Sequence, residues 1–156
     1  MKVNEIITRD PQVIRPETAL IEAAQKMKSL DIGMLPICDG DRLVGVITDR
    51  DIAVRGVAQG CDPKTARVQE VMTPEVIYCF DDEDVKEAAK KMEEKQVRRL
   101  PVLNREKRLV GIVSLGDLAV RTGKETLAGE VLERVSEPGP LAELNQRRRR
   151  EKIVWR

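Results

Sequence analysis

The chain has 156 residues, of which 41% are hydrophobic and 35% charged, with a formal net charge of +1. This composition suits a globular protein of one domain or two small ones, and the near-neutral balance excludes a molecule drawn as a whole to a polyanion. No stretch approaches the roughly 18 consecutive apolar residues of a membrane span, and the opening Met-Lys-Val-Asn-Glu-Ile-Ile-Thr lacks the apolar core of a secretion signal. The expectation is a cytoplasmic protein without membrane association. Three scattered cysteines, Cys38, Cys61 and Cys79, form no CxxC pair and read as small core side chains in a reducing compartment.

Taken in chain order, a short apolar run at Val13-Ile14 opens the pattern. Leu20, Ala23, Ala24, Met27 and Leu30 then recur at helical spacing, with Thr18 as the expected N-cap. Two strands follow at 35–38 and 42–47, joined across Asp39-Gly40, a hairpin dipeptide. A second helix starts at Thr48, and residues 59–67, rich in turn formers, read as a linker. The same order then returns. Val76-Ile77-Tyr78 is the apolar run, and Asp82 is the expected cap of a helix carrying Val85, Ala88, Ala89 and Met92. Strands at 100–103 and 108–113 precede a helix starting at Ser114. A further helix is expected over Glu125–Val135, ended by Ser136-Glu137-Pro138-Gly139-Pro140.

The recurrence is a duplication. Residues 42–55, RLVGVITDRDIAVR, and 108–121, RLVGIVSLGDLAVR, are identical at eight of fourteen positions. Leu35-Pro36-Ile37 matches Leu100-Pro101-Val102, Met27 matches Met92, and Ile7-Thr8 matches Met72-Thr73. The fold class expected is α/β, a β-α-β-β-α unit used twice. The units are residues 1–65, 66–125, and a C-terminal helix with a basic tail over 126–156. Arg147, Arg148, Arg149, Arg150, Lys152 and Arg156 give residues 141–156 a charge of +4 against Glu143 and Glu151, leaving −3 for the rest.

The local pattern that bears on chemistry is Gly-h-h-Thr/Ser-x-x-Asp, where h is apolar, at Gly45–Asp51 and Gly111–Asp117. Glycine permits close backbone approach. A hydroxyl at a helix N-cap, with the amides of the first turn, suits a phosphate. A carboxylate one turn later can accept both hydroxyls of a ribose. Thr-x-x-Asp is equally a relative of the capping box, in which the acid bonds back to the cap amide, so both readings stand at this point. Arg55 and Arg121, four residues after Asp51 and Asp117, read as i,i+4 ion-pair partners.

These residues, with Asp31-Ile32-Gly33-Met34-Leu35-Pro36-Ile37 and Gln96-Val97-Arg98-Arg99-Leu100-Pro101-Val102, resemble a tandem pair of CBS domains, the module named for cystathionine β-synthase. The resemblance spans about residues 1–125 and is nearest to small stand-alone CBS-pair proteins. It implies two repeats packed about a pseudo-twofold axis with two clefts between them. Such clefts commonly take adenosine compounds: AMP, ADP, ATP, NAD or S-adenosylmethionine. It places Thr48 and Asp51 in one cleft with Arg98, Arg99 and Pro101 from the other repeat. It places Ser114 and Asp117 in the second with Gly33, Met34 and Pro36, and directs Arg50 toward that opposite cleft. Arg98 and Arg99 are then either phosphate ligands of the first cleft or solvated strand ends.

The function expected is therefore a regulatory sensor that binds an adenosine-containing ligand and signals to an unknown protein partner or to its own oligomer, a homodimer. It has no cofactor beyond that ligand, no metal and no catalytic residue. The chain contains no histidine, the commonest general base, which argues against an enzyme. The alternatives are a ligand-free dimerisation scaffold, or a module that binds nucleic acid or an acidic partner through its arginine tail.

Overall fold

A computed structural model describes residues 1–139; the basic tail lies outside the described residues. The first half contains β1 (Thr8–Arg9), α1 (Leu20–Leu30), β2 (Met34–Asp39), β3 (Arg42–Thr48) and α2 (Asp49–Asp51). The single turn of α2 runs directly into a π-helical segment, Ile52–Val57. The second half contains β4 (Cys79–Phe80), α3 (Val85–Lys95), β5 (Arg99–Leu103), β6 (Leu109–Ser114) and α4 (Leu115–Arg121), followed by α5 (Glu125–Ser136). The fold is mixed α/β, with two sheets and helices packed on them.

Each half repeats the other's details. β2 and β3 pair antiparallel with a bulge after Ile37, and β5 and β6 do the same after Val102. Asp31 and Gln96 both end their helices in the left-handed conformation, at φ 52° and 51°. The alternating apolar residues of both hairpins face inward, where Leu35, Ile37, Ile47, Leu100, Val102 and Val113 are fully buried.

The halves also exchange their leading segments. β1, at the start of the chain, pairs with β6, so the second sheet has the order β1-β6-β5-β4. Thr73, in the leading segment of the second repeat, pairs with Val46 of β3 through two backbone hydrogen bonds of 2.9 and 3.1 Å. The cores follow the same exchange. Val3, Ile6 and Ile7 are buried with Met92, Leu100 and Leu118 of the second half. Val68 and Val71 are buried with Leu20, Leu35 and Ile47 of the first.

Three local expectations are corrected. The helix α3 is capped by Asp84, which accepts from the Lys86 amide at 3.0 Å, not by Asp82. Asp82 instead binds Arg105, whose guanidinium lies 4.2 Å from the centre of the Phe80 ring. The helix α1 has no side-chain cap at all. Its first amides, on Leu20 and Ile21, donate to the carbonyls of Ala66 and Pro63 in the linker, and Thr18 serves a turn by accepting from the Arg15 amide. The second leading strand is Cys79–Phe80 rather than Val76-Ile77-Tyr78, because Cys79 is the residue that faces the core and pairs with Val102.

Close approach of the exchanged segments requires glycine. A Cβ on Gly111 would lie 2.7 Å from the Thr8 carbonyl oxygen and 2.8 Å from Ile7 Cδ1, whereas one on Gly129, inside α5, would meet nothing within 4 Å. Gly111→Ala is expected to cost about 1–3 kcal/mol through forced displacement of β1. Gly129→Ala is expected to stabilise by about 0.5–1 kcal/mol, because alanine is the better helix former. Urea unfolding of the two variants beside the parent tests both signs.

Candidate functional site

The strand-to-helix corners that carry Thr48 and Ser114 are built alike. Thr48 Oγ1 accepts from the Asp51 amide at 3.0 Å, and Asp51 Oδ2 accepts from the Thr48 amide at 2.9 Å. Ser114 and Asp117 make the same reciprocal pair at 3.1 and 2.8 Å, and Ser114 Oγ also donates to Asp117 Oδ2 at 2.7 Å. Both are capping boxes. The remaining carboxylate oxygens, Asp51 Oδ1 and Asp117 Oδ1, lie 4.0 and 3.5 Å from Arg55 Nε and Arg121 Nε, the i,i+4 pairs expected.

Those arginines have a second role that the sequence does not announce. Arg55 Nη1 donates to the Val71 and Met72 carbonyls at 3.4 and 3.3 Å. Arg121 Nη1 donates to the Ile6 and Ile7 carbonyls at 3.3 and 3.2 Å. Each therefore ties its helix to the segment that arrives from the other half.

Two clefts lie where the halves meet. The first, a cavity of about 560 Å³, is lined by Thr48, Asp51, Arg98, Arg99 and Pro101 together, with Arg50, Gly33 and Met34 on its rim. The second, of about 360 Å³, is lined by Ser114, Asp117, Gly33 and Met34. Both volumes fall in the range of small-molecule sites. The cross-repeat grouping expected from the sequence is thus brought together, with three differences. Pro36 lines neither cleft; it sits within β2, paired with Val46. Arg50 faces the Thr48 cleft rather than the opposite one, because it is the second residue of the helix that starts there. Arg99 lines both clefts, so the second is not without a guanidinium.

The expectation that free amides at the helix start receive a phosphate is also corrected for α2. The Asp49 amide donates to the Gly33 carbonyl at 3.0 Å, the Arg50 amide to Asp49 Oδ1 at 2.8 Å, and the Asp51 amide to Thr48 Oγ1. The first turn is fully engaged by its own neighbours.

Sequence reasoning missed the segments that form the cleft floors. Thr8, Asp10, Pro11 and Gln12 line the second cleft, and Thr73, Glu75 and Ile77 line the first. The signal available was the repeated pair Thr8 and Thr73, upstream of each first strand. With these residues the clefts differ in charge. Arg50, Arg98 and Arg99 balance Asp49, Asp51 and Glu75 in the first, whereas Arg99 alone faces Asp10, Asp31 and Asp117 in the second.

Comparison with known proteins gives the architecture a family. The CBS domain model matches residues 3–56 and again 68–121. Hypoxic response protein 1 of Mycobacterium tuberculosis is 50% identical over 101 residues, covering 64% of this chain and 70% of its own. A crystal structure of Hypoxic Response Protein I with two coordinated zinc ions superposes at a TM-score of 0.71 and 41% identity, over 78% of this chain and 98% of that one. A CBS domain pair in complex with 5′-methylthioadenosine and S-adenosyl-L-methionine superposes at 0.71 and 34% identity, over 80% and 98%. A CBS domain protein of Pyrobaculum aerophilum complexed with AMP does so at 0.74 and 25%, over 83% and 99%. The chain belongs to the CBS-domain family and is a tandem CBS pair, its two repeats in a pseudo-twofold arrangement. The zinc belongs to that relative; among the described residues here, no three His, Cys, Asp or Glu side chains come together to hold a metal. No described helix is long and apolar enough to cross a membrane.

The capping boxes make a prediction that needs no ligand. Asp117, whose side chain is only 15% exposed, accepts from both the amide and the hydroxyl of Ser114. Asp117→Ala is expected to lower the stability of the ligand-free protein by about 1–3 kcal/mol. Equal unfolding midpoints for variant and parent would show that the carboxylate is not committed to the helix start.

Proposed function

We propose that this CBS pair is a non-catalytic regulatory sensor that binds an adenosine-containing ligand of the AMP, ADP or ATP class between its repeats. The observation that carries the reading is the first cleft. There the Thr48–Asp51 corner of one repeat faces Arg98 and Arg99 of the other across a cavity of suitable size. Asp51 Oδ1 retains lone pairs for a ribose hydroxyl, and the guanidinium groups can receive phosphate. The adenosine compounds bound by two similar CBS structures support the ligand class. The ligand is a regulatory molecule and not a cofactor. In this scheme the sequence units 1–65 and 66–125 each supply residues to both clefts.

Binding across two repeats acts by favouring one relative placement of them, to the extent that the ligand's affinity differs between placements. The change is passed to a protein partner or to a second copy of the chain. Val54, Val57 and Val120, on the outer faces of the helices that follow β3 and β6, are 48%, 67% and 83% exposed, which supports a homodimer formed through those helices in the cytoplasm. The scaffold alternative has its own support, since the capping boxes and ion pairs satisfy the motif without a ligand. The tail alternative concerns residues outside the described structure.

A thermal-shift series with AMP, ATP, adenosine, methylthioadenosine and S-adenosylmethionine tests the reading. A ligand at 100 times its Kd adds about 2.7 kcal/mol, roughly 5–10 °C for a chain of this size. No shift with any of them at millimolar concentration favours the scaffold. Light scattering at micromolar concentration is expected to report a dimer.

The two clefts are expected to be unequal. The first carries balanced charge and two guanidiniums of β5 and its approach, and the second a net acidic wall, so phosphate compounds should prefer the first by about tenfold, or about 1.4 kcal/mol. Calorimetry with AMP should give two unequal affinities or one occupied site per chain. Arg98→Ala with Arg99→Ala should remove the tighter event. Unchanged AMP affinity in that variant would make both arginines surface residues.

A further inference from the structure

The helix α5 breaks the twofold pattern. It packs on α3 and α4, buries Ala128, and places Val131 in the core of the second half. The first half has no equivalent among the described residues; its final helical turns lead into the linker. The last turn of α5 reaches the first cleft, where Val135 forms part of the wall beside Val97 and Ile77.

The contact is made by the same residues that line the cleft. Gln96 Nε2 donates to the Arg134 and Glu137 carbonyls at 3.3 and 3.2 Å, closing the C-terminal end of α5. Arg98 Nη2 donates to Ser136 Oγ at 3.5 Å. Arg134 Nε lies 3.6 Å from Glu93 Oε2, on the last turn of α3. The stretch Gln96-Val97-Arg98 therefore faces the cavity on one side and the end of α5 on the other. Its first residue is the left-handed C-cap of α3, φ 51°, the conformation Asp31 also holds at the end of α1, φ 52°. Among the described residues no helix packs on the matching stretch of the second cleft, Asp31-Ile32-Gly33, and Leu30 and Ile32 are 43% and 37% exposed.

We propose that the end of α5, Val135 and Ser136 with the C-cap Glu137, is a ligand-responsive latch on the Thr48/Asp51 cleft: occupation of that cleft and docking of this end stabilise each other, and among the described residues the second cleft has no such connection. The proposal rests on the nucleotide reading of the cleft. A ligand phosphate that fixes Arg98 also fixes the stretch that caps α5, and a docked α5 presents that stretch ready for the ligand. The coupling must be equal in both directions. It is modest, because the bonds that carry it are few and partly exposed; about fivefold is expected, near the lower end of such couplings.

Hydrogen–deuterium exchange on the full chain, with and without saturating AMP, tests this together with calorimetry. AMP is expected to slow exchange of the amides of residues 131–137 about fivefold beyond any slowing in α1. The Gln96→Ala variant, and separately Val135→Ala, should bind AMP about fivefold more weakly and lose that protection. Melting temperatures without AMP record any cost to stability separately. A purely structural contact would lower them and leave AMP affinity and the exchange response intact, which overturns the latch. AMP binding with unchanged exchange at 131–137, or with equal protection of every helix, also overturns it while leaving the nucleotide reading in place. If calorimetry shows no AMP binding by the parent protein, the nucleotide reading fails and the latch with it.

Discussion

The structure depends on the exchange of leading segments between the repeats. Each hairpin, β2–β3 or β5–β6, leaves one edge of β3 or β6 open, and that edge is completed by chain from the other half: Thr73 beside Val46, Thr8 beside Ile112. An uncovered edge would present unpaired amides and carbonyls. The exchange satisfies them and inserts Val3, Ile6 and Ile7, or Val68 and Val71, into the partner core. The glycine of the repeated motif follows from this. At Gly45 a Cβ would lie 2.6 Å from Met72 Sδ and 3.0 Å from the Thr73 carbonyl oxygen, so a larger residue there would push the arriving segment away. That segment is also the cleft floor, and the clefts exist because chain from one repeat must cross to the other.

The motif consequently has two tasks that share atoms. Asp51 and Asp117 each commit one oxygen to a capping box and hold the other near an arginine that binds the carbonyls of the exchanged segment. A ribose hydroxyl in the cleft would therefore meet a carboxylate already oriented by two partners, which reduces the entropy lost on binding. The same arrangement explains why the motif alone does not distinguish a ligand site from a helix cap. The chemistry is identical, and only the facing wall, supplied by residues of the other repeat far away in sequence, separates the two.

The duplication made most of the fold legible. Eight identities in fourteen residues fixed the repeat, and helical and alternating periodicities located α1 and both hairpins to within about one residue of their ends and α3 from its start to Met92, one turn short of its end at Lys95. What was not legible is long-range in origin. Thr18 and Asp82 have the right chemistry for caps but lose the role, the first because linker carbonyls occupy the amides of α1 and the second because Arg105 claims its carboxylate. The leading strands are two residues long, too short for a periodicity. Arg50 and Arg99 could be assigned to a cleft by analogy, but which wall each side chain lines depends on where the helix and strand start, and a shift of one residue changes the answer.

The two clefts descend from one design, and their differences are confined to a few matched positions. Arg98 stands where the first half has Gly33, and Gln96 where it has Asp31, on the same left-handed turn of backbone. The first exchange supplies a guanidinium to one cleft. The second replaces a carboxylate that faces the other cleft by an amide that grips α5. Both differences act in one direction: they add positive charge to the Thr48 cleft and connect it to α5, an element that among the described residues does not reach the Ser114 cleft. A duplicated module with identical clefts could report only how many were filled. On the proposed reading, unequal clefts, one packed against α5 and the other with no helix against it among the described residues, would let the same fold separate a ligand it responds to from a ligand it merely holds.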